Sequence, residues 1–263
     1  MQNALCRLIA CASLALAASA TAATVDRDGI LTLSLCIEEN PFPPFIYTDR
    51  DGAIPILVKM AAREAGLKIA FHRAPYLRCL AEISSGHSDG YPSAAIANVT
   101  KDLVFPGSPK APDASHATVT TRVMVYRPSG STVNWDGKQF SGLTGPVLHD
   151  RTTVLVAQRL QALGVAADSN AKNSEATFSK LLLGRGGLAI SFEASAAPLL
   201  AQPRFAGKIE MLPAPFYVEN YYLAVSRGVY TQHRSKVNAL WQAIARLKQS
   251  PEYAAAIRGL PHY

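Results

Sequence analysis

Between Leu31 and Gly90 the chain sets out a short strand, a stiff loop and two helix-like segments in close succession. Leu31-Thr32-Leu33-Ser34-Leu35 alternates as a half-buried strand does. The strand runs through Cys36-Ile37-Glu38-Glu39-Asn40 into Pro41-Phe42-Pro43-Pro44-Phe45, an aromatic-proline loop. That loop falls where the carboxyl edge of an α/β sheet opens into a cleft, and ligands bind at that edge in open sheets. Ile54 to Ala65 then carries Ile56, Leu57, Met60, Ala61 and Ala65 near helical spacing, with Pro55 in its first turn and Gly66 as a stop. Lys68 to His72 reads as a second strand. Pro75 starts the next helix and Gly86 ends it. Strand alternating with helix predicts a parallel sheet.

The rest of the chain repeats the pattern. Ser115 to Tyr126 is rich in Thr and Val and reads as an extended crossing segment, and Pro128 to Gly142 as a turn-rich loop. A strand at Pro146 to His149 follows, then helices at Thr152 to Leu163 and Asn173 to Leu183, then a strand at Gly187 to Ser191. Lys208 to Leu212 reads as a strand returning across the boundary, and Tyr221 to Ser226 as another. Val237, Leu240, Trp241, Ile244 and Leu247 make the apolar stripe of a long helix. Ser250-Pro251-Glu252 opens the last one. Two α/β lobes joined by two crossing segments account for this order: residues 23–118, 119–212, and a return to the first lobe over 213–263.

Residues 1–22 read as a secretory signal, with Arg7 as the positive charge, Leu8 to Ala18 as the apolar stretch and Ala20-Thr21-Ala22 as an A-x-A-like cleavage site. The apolar stretch is too short for a membrane span. A lipoprotein-like Leu8-Ile9-Ala10-Cys11 lies too early in that stretch to close it. The expected protein is therefore exported from the cytoplasm. Its formal charge of +7 suits an anionic ligand or envelope surface. The scattered Lys and Arg carry no nucleic-acid motif. Cys6 and Cys11 leave with the signal. Cys36 and Cys79 remain, and an even pair in an exported chain reads as one disulfide.

Other motifs lack their context. Gly86-His87-Ser88-Asp89-Gly90 fits G-x-S-x-G, but a nucleophile elbow runs strand, Ser, helix, and here a helix comes first. Gly184-Arg185-Gly186-Gly187 lacks phosphate-loop spacing. No carboxylate pair or metal cluster stands out, and no cofactor is implied.

The export signal, the strand entering Pro-Phe-x-Pro-Phe, the helix after Gly52 and the Gly86-x-x-Asp89-Gly90 turn together resemble the bacterial extracellular solute-binding proteins of family 3, the polar-amino-acid class. Gly184 to Ile190 looks like the second lobe's version of that turn, and Pro75 to Leu80 with Cys36 resembles a branch with a disulfide in the first lobe. The resemblance implies a type II periplasmic binding protein fold, two lobes closing on a small-molecule ligand, and usually a monomer serving the permease of an ABC importer.

It also implies positions. Phe42 stands where a ring packs on the ligand, Tyr76 where an apolar contact lies, with Arg78 two residues on, and Ser93 where a hydroxyl contact falls. Lys101 takes the place of the family's carboxylate-binding Arg, a point charge in place of a planar fork. Arg151 and Thr152 open a helix where the family binds an anion. Glu193 lies one residue beyond the family's partner for the ligand amine, and Phe192 occupies the aligned position. The ligand set is thus Phe42, Tyr76, Arg78, Ser93, Lys101, Arg151, Thr152 and Glu193. Two other classes stay open: a cyclohexadienyl dehydratase-like enzyme with Glu193 as acid, and a signalling receptor domain without an importer.

Overall fold

The computed structural model describes residues 23–25, 27, 29–96, 101–108, 111–151 and 153–261. The expected signal segment, Asn98 to Thr100 and Thr152 lie outside the described residues.

The alternating run at Leu31 becomes β1 (Leu31–Glu38), with Leu33 and Leu35 wholly buried. The helix α1 (Ala53–Glu64) follows the loop and buries Ile54, Leu57, Val58 and Ala61 in the same core as β1. β2 (Leu67–Ala74) pairs parallel with β1 along its length, from Leu31 opposite Leu67 to Glu38 opposite Ala74. α2 (Tyr76–Ser84) follows Pro75, and β3 (Gly90–Ala95) returns beside β1. The turn before β3 is fixed by side chains. The Asp89 carboxylate accepts from the Ser34 N–H at 2.7 Å and the Ala23 N–H at 3.2 Å, and the Ser88 hydroxyl accepts from the Cys36 N–H at 3.1 Å. Ser88 is 1% exposed, so the G-x-S-x-G run serves as a strand clamp. Gly90 allows the close approach: a Cβ there would lie 2.4 Å from the Ala224 carbonyl oxygen.

β4 (Ala117–Pro128) crosses to the second lobe. There β5 (Val147–Asp150), α3 (Val154–Ala162), β6 (Ala167–Ala171), α4 (Ser174–Leu182), β7 (Leu188–Phe192) and α5 (Glu193–Leu200) follow in turn. β8 (Ile209–Ser226) crosses back, and α6 (Arg227–Leu247) and α7 (Pro251–Ile257) cover the first lobe. In space the strands run β2, β1, β3, β8, β4, β7, β5, β6. With the short strands Thr24–Val25 and Leu103–Val104 they make one ten-stranded sheet. Pairing is parallel among β1, β2 and β3 and among β5, β6 and β7, and antiparallel where β8 meets β3 and β4, where β4 meets β7, and for both short strands.

The α6 stripe is as periodicity requires: Val237, Leu240, Trp241, Ile244 and Leu247 are all buried, each stabilising the fold by roughly 1.5–3 kcal/mol. The Trp241 indole N–H donates to the Leu223 carbonyl at 2.8 Å, which ties the helix to β8. Cys36 and Cys79 are bonded, with Cα atoms 5.4 Å apart and both residues fully buried, and they join β1 to α2.

Two expectations change. The returning strands at Lys208 and Tyr221 are a single 18-residue strand, β8. Its register against β4 shifts between Met211 and Pro215 and again between Pro215 and Tyr217, so irregular pairing absorbs the prolines. β6 and α5 were not expected: β6 is the polar run Ala-Asp-Ser-Asn-Ala, and α5 carries Pro198 inside it. Among the described residues no helix is long and apolar enough to cross a membrane.

Candidate functional site

Period-two alternation sets the chemistry of the central strands. On β3 it brings Tyr91, Ser93 and Ala95 to one surface, and on β8 it brings Tyr217, Glu219 and Tyr221. Tyr221 lies opposite Ala95 in the ladder, so the two rows adjoin. Glu38 closes β1, Tyr76 opens α2, Phe192 closes β7, and Thr153, Val154 and Leu155 open α3. These residues surround a cleft of about 370 Å³ between the lobes, at the carboxyl ends of parallel strands. That volume is in the range of small-molecule sites.

The cleft is aromatic and acidic. Tyr76, Tyr91, Phe192, Tyr217 and Tyr221 are its rings, Tyr76 meeting Tyr91 edge-on at 5.8 Å. The Tyr91 hydroxyl donates to Glu38 at 3.3 Å, and the Asn40 amide donates to the same carboxylate at 3.1 Å. Burial raises the phenols of Tyr91, Tyr217 and Tyr221, and neighbouring Glu38 or Glu219 raises them further. Tyr76 is raised by burial and then by Glu38. The rings therefore stay neutral, and the cleft's negative charge belongs to its carboxylates. Burial also raises Glu219, opposed by the charge of Arg159, whose guanidinium stacks on the Tyr217 ring at 4.7 Å.

The sequence-derived positions are distributed unevenly. Tyr76 and Ser93 line the cleft. Phe42 sits at its edge, its ring 5.2 Å from Phe192 of the second lobe and 6.3 Å from Tyr221. Arg78 is exposed and ion-pairs with Glu82 one turn on, at 2.9 Å. The side chain of Lys101 is exposed outside the lining, and its carbonyl accepts from Arg227. Arg151 is exposed, with its N–H bonded to the Ala171 carbonyl. Thr152 is outside the described residues. Its neighbour Thr153 occupies the N-cap position of α3, but its hydroxyl donates to the Asp150 carbonyl at 2.7 Å and does not cap the helix. Glu193 opens α5, pairs with Arg122 at 3.3 Å, and lines a separate concavity with Pro44 and Ala194.

Glu38, Tyr91, Tyr217, Glu219 and Tyr221 escaped sequence reasoning. The signal was present as Tyr-x-Glu-x-Tyr alternation, hidden by reading residues 213–220 as a gap between strands. The sequence likewise showed no carboxylate pair, because only the sheet brings Glu38 and Glu219 to the wall of one cleft. Cys36, His72 and Glu82 cluster with metal-like spacing, yet the sulfur is held in the disulfide and the His72 ring bonds Glu82 at 2.8 Å.

No protein-family model matches the chain, and no curated protein matches it in sequence. Solved structures do match. The L-cystine solute receptor of Neisseria gonorrhoeae, in its unliganded open conformation, aligns with a TM-score of 0.59 at 14% identity, over 88% of this chain and 94% of its own. The GluR0 ligand-binding core from Nostoc punctiforme, in complex with L-glutamate, gives 0.59 at 14% identity, over 88% and 100%. The periplasmic VFT2 domain of Bordetella pertussis BvgS gives 0.55 at 17% identity, over 88% and 93%. Likeness at these identities speaks for architecture alone: this chain has the two-lobe α/β fold of periplasmic-binding-protein-like domains.

Proposed function

We propose that this protein is an exported receptor that captures a small polar solute in the cleft between its lobes, closing about β4 and β8, and hands it to the permease of an ABC importer. The observation that carries the reading is the composition of the cleft wall: residues from β1, α2 and β3 of one lobe face residues from α3 and β7 of the other, with β8 between them. A ligand touching both lobes favours the closed arrangement, because only differential affinity shifts such an equilibrium. Tyr76, Ser93 and Tyr221 are the proposed contacts, with Phe42 and Phe192 closing over them. Residues 1–22 act as the export signal, and the receptor works in the periplasm as a monomer. The L-cystine receptor and an amino acid ABC transporter domain among the matching structures support a receptor role.

The test is a thermal-shift screen of the purified protein against amino acids, amines, dicarboxylates and aromatic acids. A ligand at one hundred times its dissociation constant adds about 2.7 kcal/mol, which raises the melting midpoint by roughly 5–11 °C. Tyr221→Ala should abolish the shift. A screen without any shift, or a shift that Tyr221→Ala leaves intact, rejects the site.

A further inference from the structure

The chain carries 26 Lys and Arg against 19 Asp and Glu, yet its cleft reverses that balance. Glu38 and Glu219 line it, and none of the described lining residues is Lys, Arg or His. Five aromatic rings complete the wall. Resting on the receptor reading above, we propose that the ligand is a small organic cation, an amine with no carboxylate, bound by Glu219 and by the faces of the surrounding rings.

The two acids differ in their engagement. Glu38 already accepts from Tyr91 and Asn40, so it orients a ring and sets the local potential. The Glu219 carboxylate is half-buried, and among the described residues no hydrogen bond or ion pair reaches it. Its charged influence is Arg159, which is committed to the far side of the cleft wall: the guanidinium stacks on Tyr217, and the side chain lines a different concavity with Trp135 and Phe216. A partly desolvated carboxylate without a hydrogen-bond partner is unfavourable, and an ammonium satisfies it. Aromatic faces attract cations for the same reason, the ring quadrupole presenting its negative side. A carboxylate on the ligand finds no such welcome. It would meet two like charges, which the backbone N–H groups at the start of α3 alone would have to outweigh.

Matched pairs separate the alternatives: tyramine with tyrosine, putrescine with ornithine, and 3-(4-hydroxyphenyl)propionate as the acid without an amine. Titration calorimetry should find at least one amine binding tenfold or more tightly than its carboxylated counterpart, and no binding of the acid. Glu219→Gln should weaken that amine at least about tenfold, the loss expected of one charge-assisted hydrogen bond, without lowering the melting midpoint of the free protein. Lys101→Ala should change the affinity less than twofold. An amino acid binding as tightly as its amine, or unchanged affinity in Glu219→Gln, overturns the cation assignment and leaves the receptor reading standing. Absence of binding by every member of the panel, in a protein that calorimetry shows to be folded, overturns both.

Discussion

Glu219 shows how a single side chain can be costly to the empty protein and valuable to the occupied one. Its pKa is raised by burial, so the folded chain holds that proton more tightly than the unfolded chain does. Stability therefore falls as pH rises from the ordinary carboxylate value through the raised one, and stays lower above it. Glu219→Gln should raise the melting midpoint of the free protein at pH 7, with the gain shrinking as pH falls through the raised value and vanishing below the ordinary carboxylate value; a pH series of melting curves on both proteins checks this. Asp89 is raised by burial too, against the N–H groups of Ser34 and Ala23, but it is common to both proteins and cancels in the difference. Residues of this kind were the least legible in the sequence. Phe42, Tyr76 and Ser93 were reachable because the loop and turn that hold them are local features. Tyr217, Glu219 and Tyr221 become a site only when β8 is seen to run unbroken past Pro213 and Pro215.

Elements were far more legible than sites. The apolar periods of α1 and α6 and the Ser250 cap of α7, whose hydroxyl accepts from the Tyr253 N–H at 3.1 Å, follow directly from residue spacing. β6 and α5 were missed because a polar five-residue run and a helix containing a proline both violate local preference, and tertiary packing overrides it: Ala196 and Leu199 of α5 are buried against Met124 and Phe178. The disulfide links two of the legible elements across 43 residues of chain. Closing a loop of that size stabilises by about 4 kcal/mol on the chain-entropy account, through the unfolded state. Cys36→Ala/Cys79→Ala should accordingly lower the melting midpoint by roughly 8–16 °C while leaving the cleft able to bind, as thermal melts and a parallel titration would measure. A fall of less than about 2 °C would mean that β1 and α2 hold together without it.

At the scale of the molecule, the lobes are not beads on a linker. β4 and β8 pair with one another from Ile209 opposite Pro128 to Tyr222 opposite Ala117, and each also pairs with a strand of one lobe. Phe42 reaching Phe192 adds a contact across the mouth of the cleft. The order of elements foretold two lobes with two crossings. It could not foretell that the crossings would fuse into one ladder, since that pairing joins residues about a hundred positions apart. Such a ladder leaves no seam along which heat could peel one half away from the other. A scanning calorimeter should record a single endotherm whose measured enthalpy equals its van't Hoff value, and two resolved peaks would show that the halves melt independently.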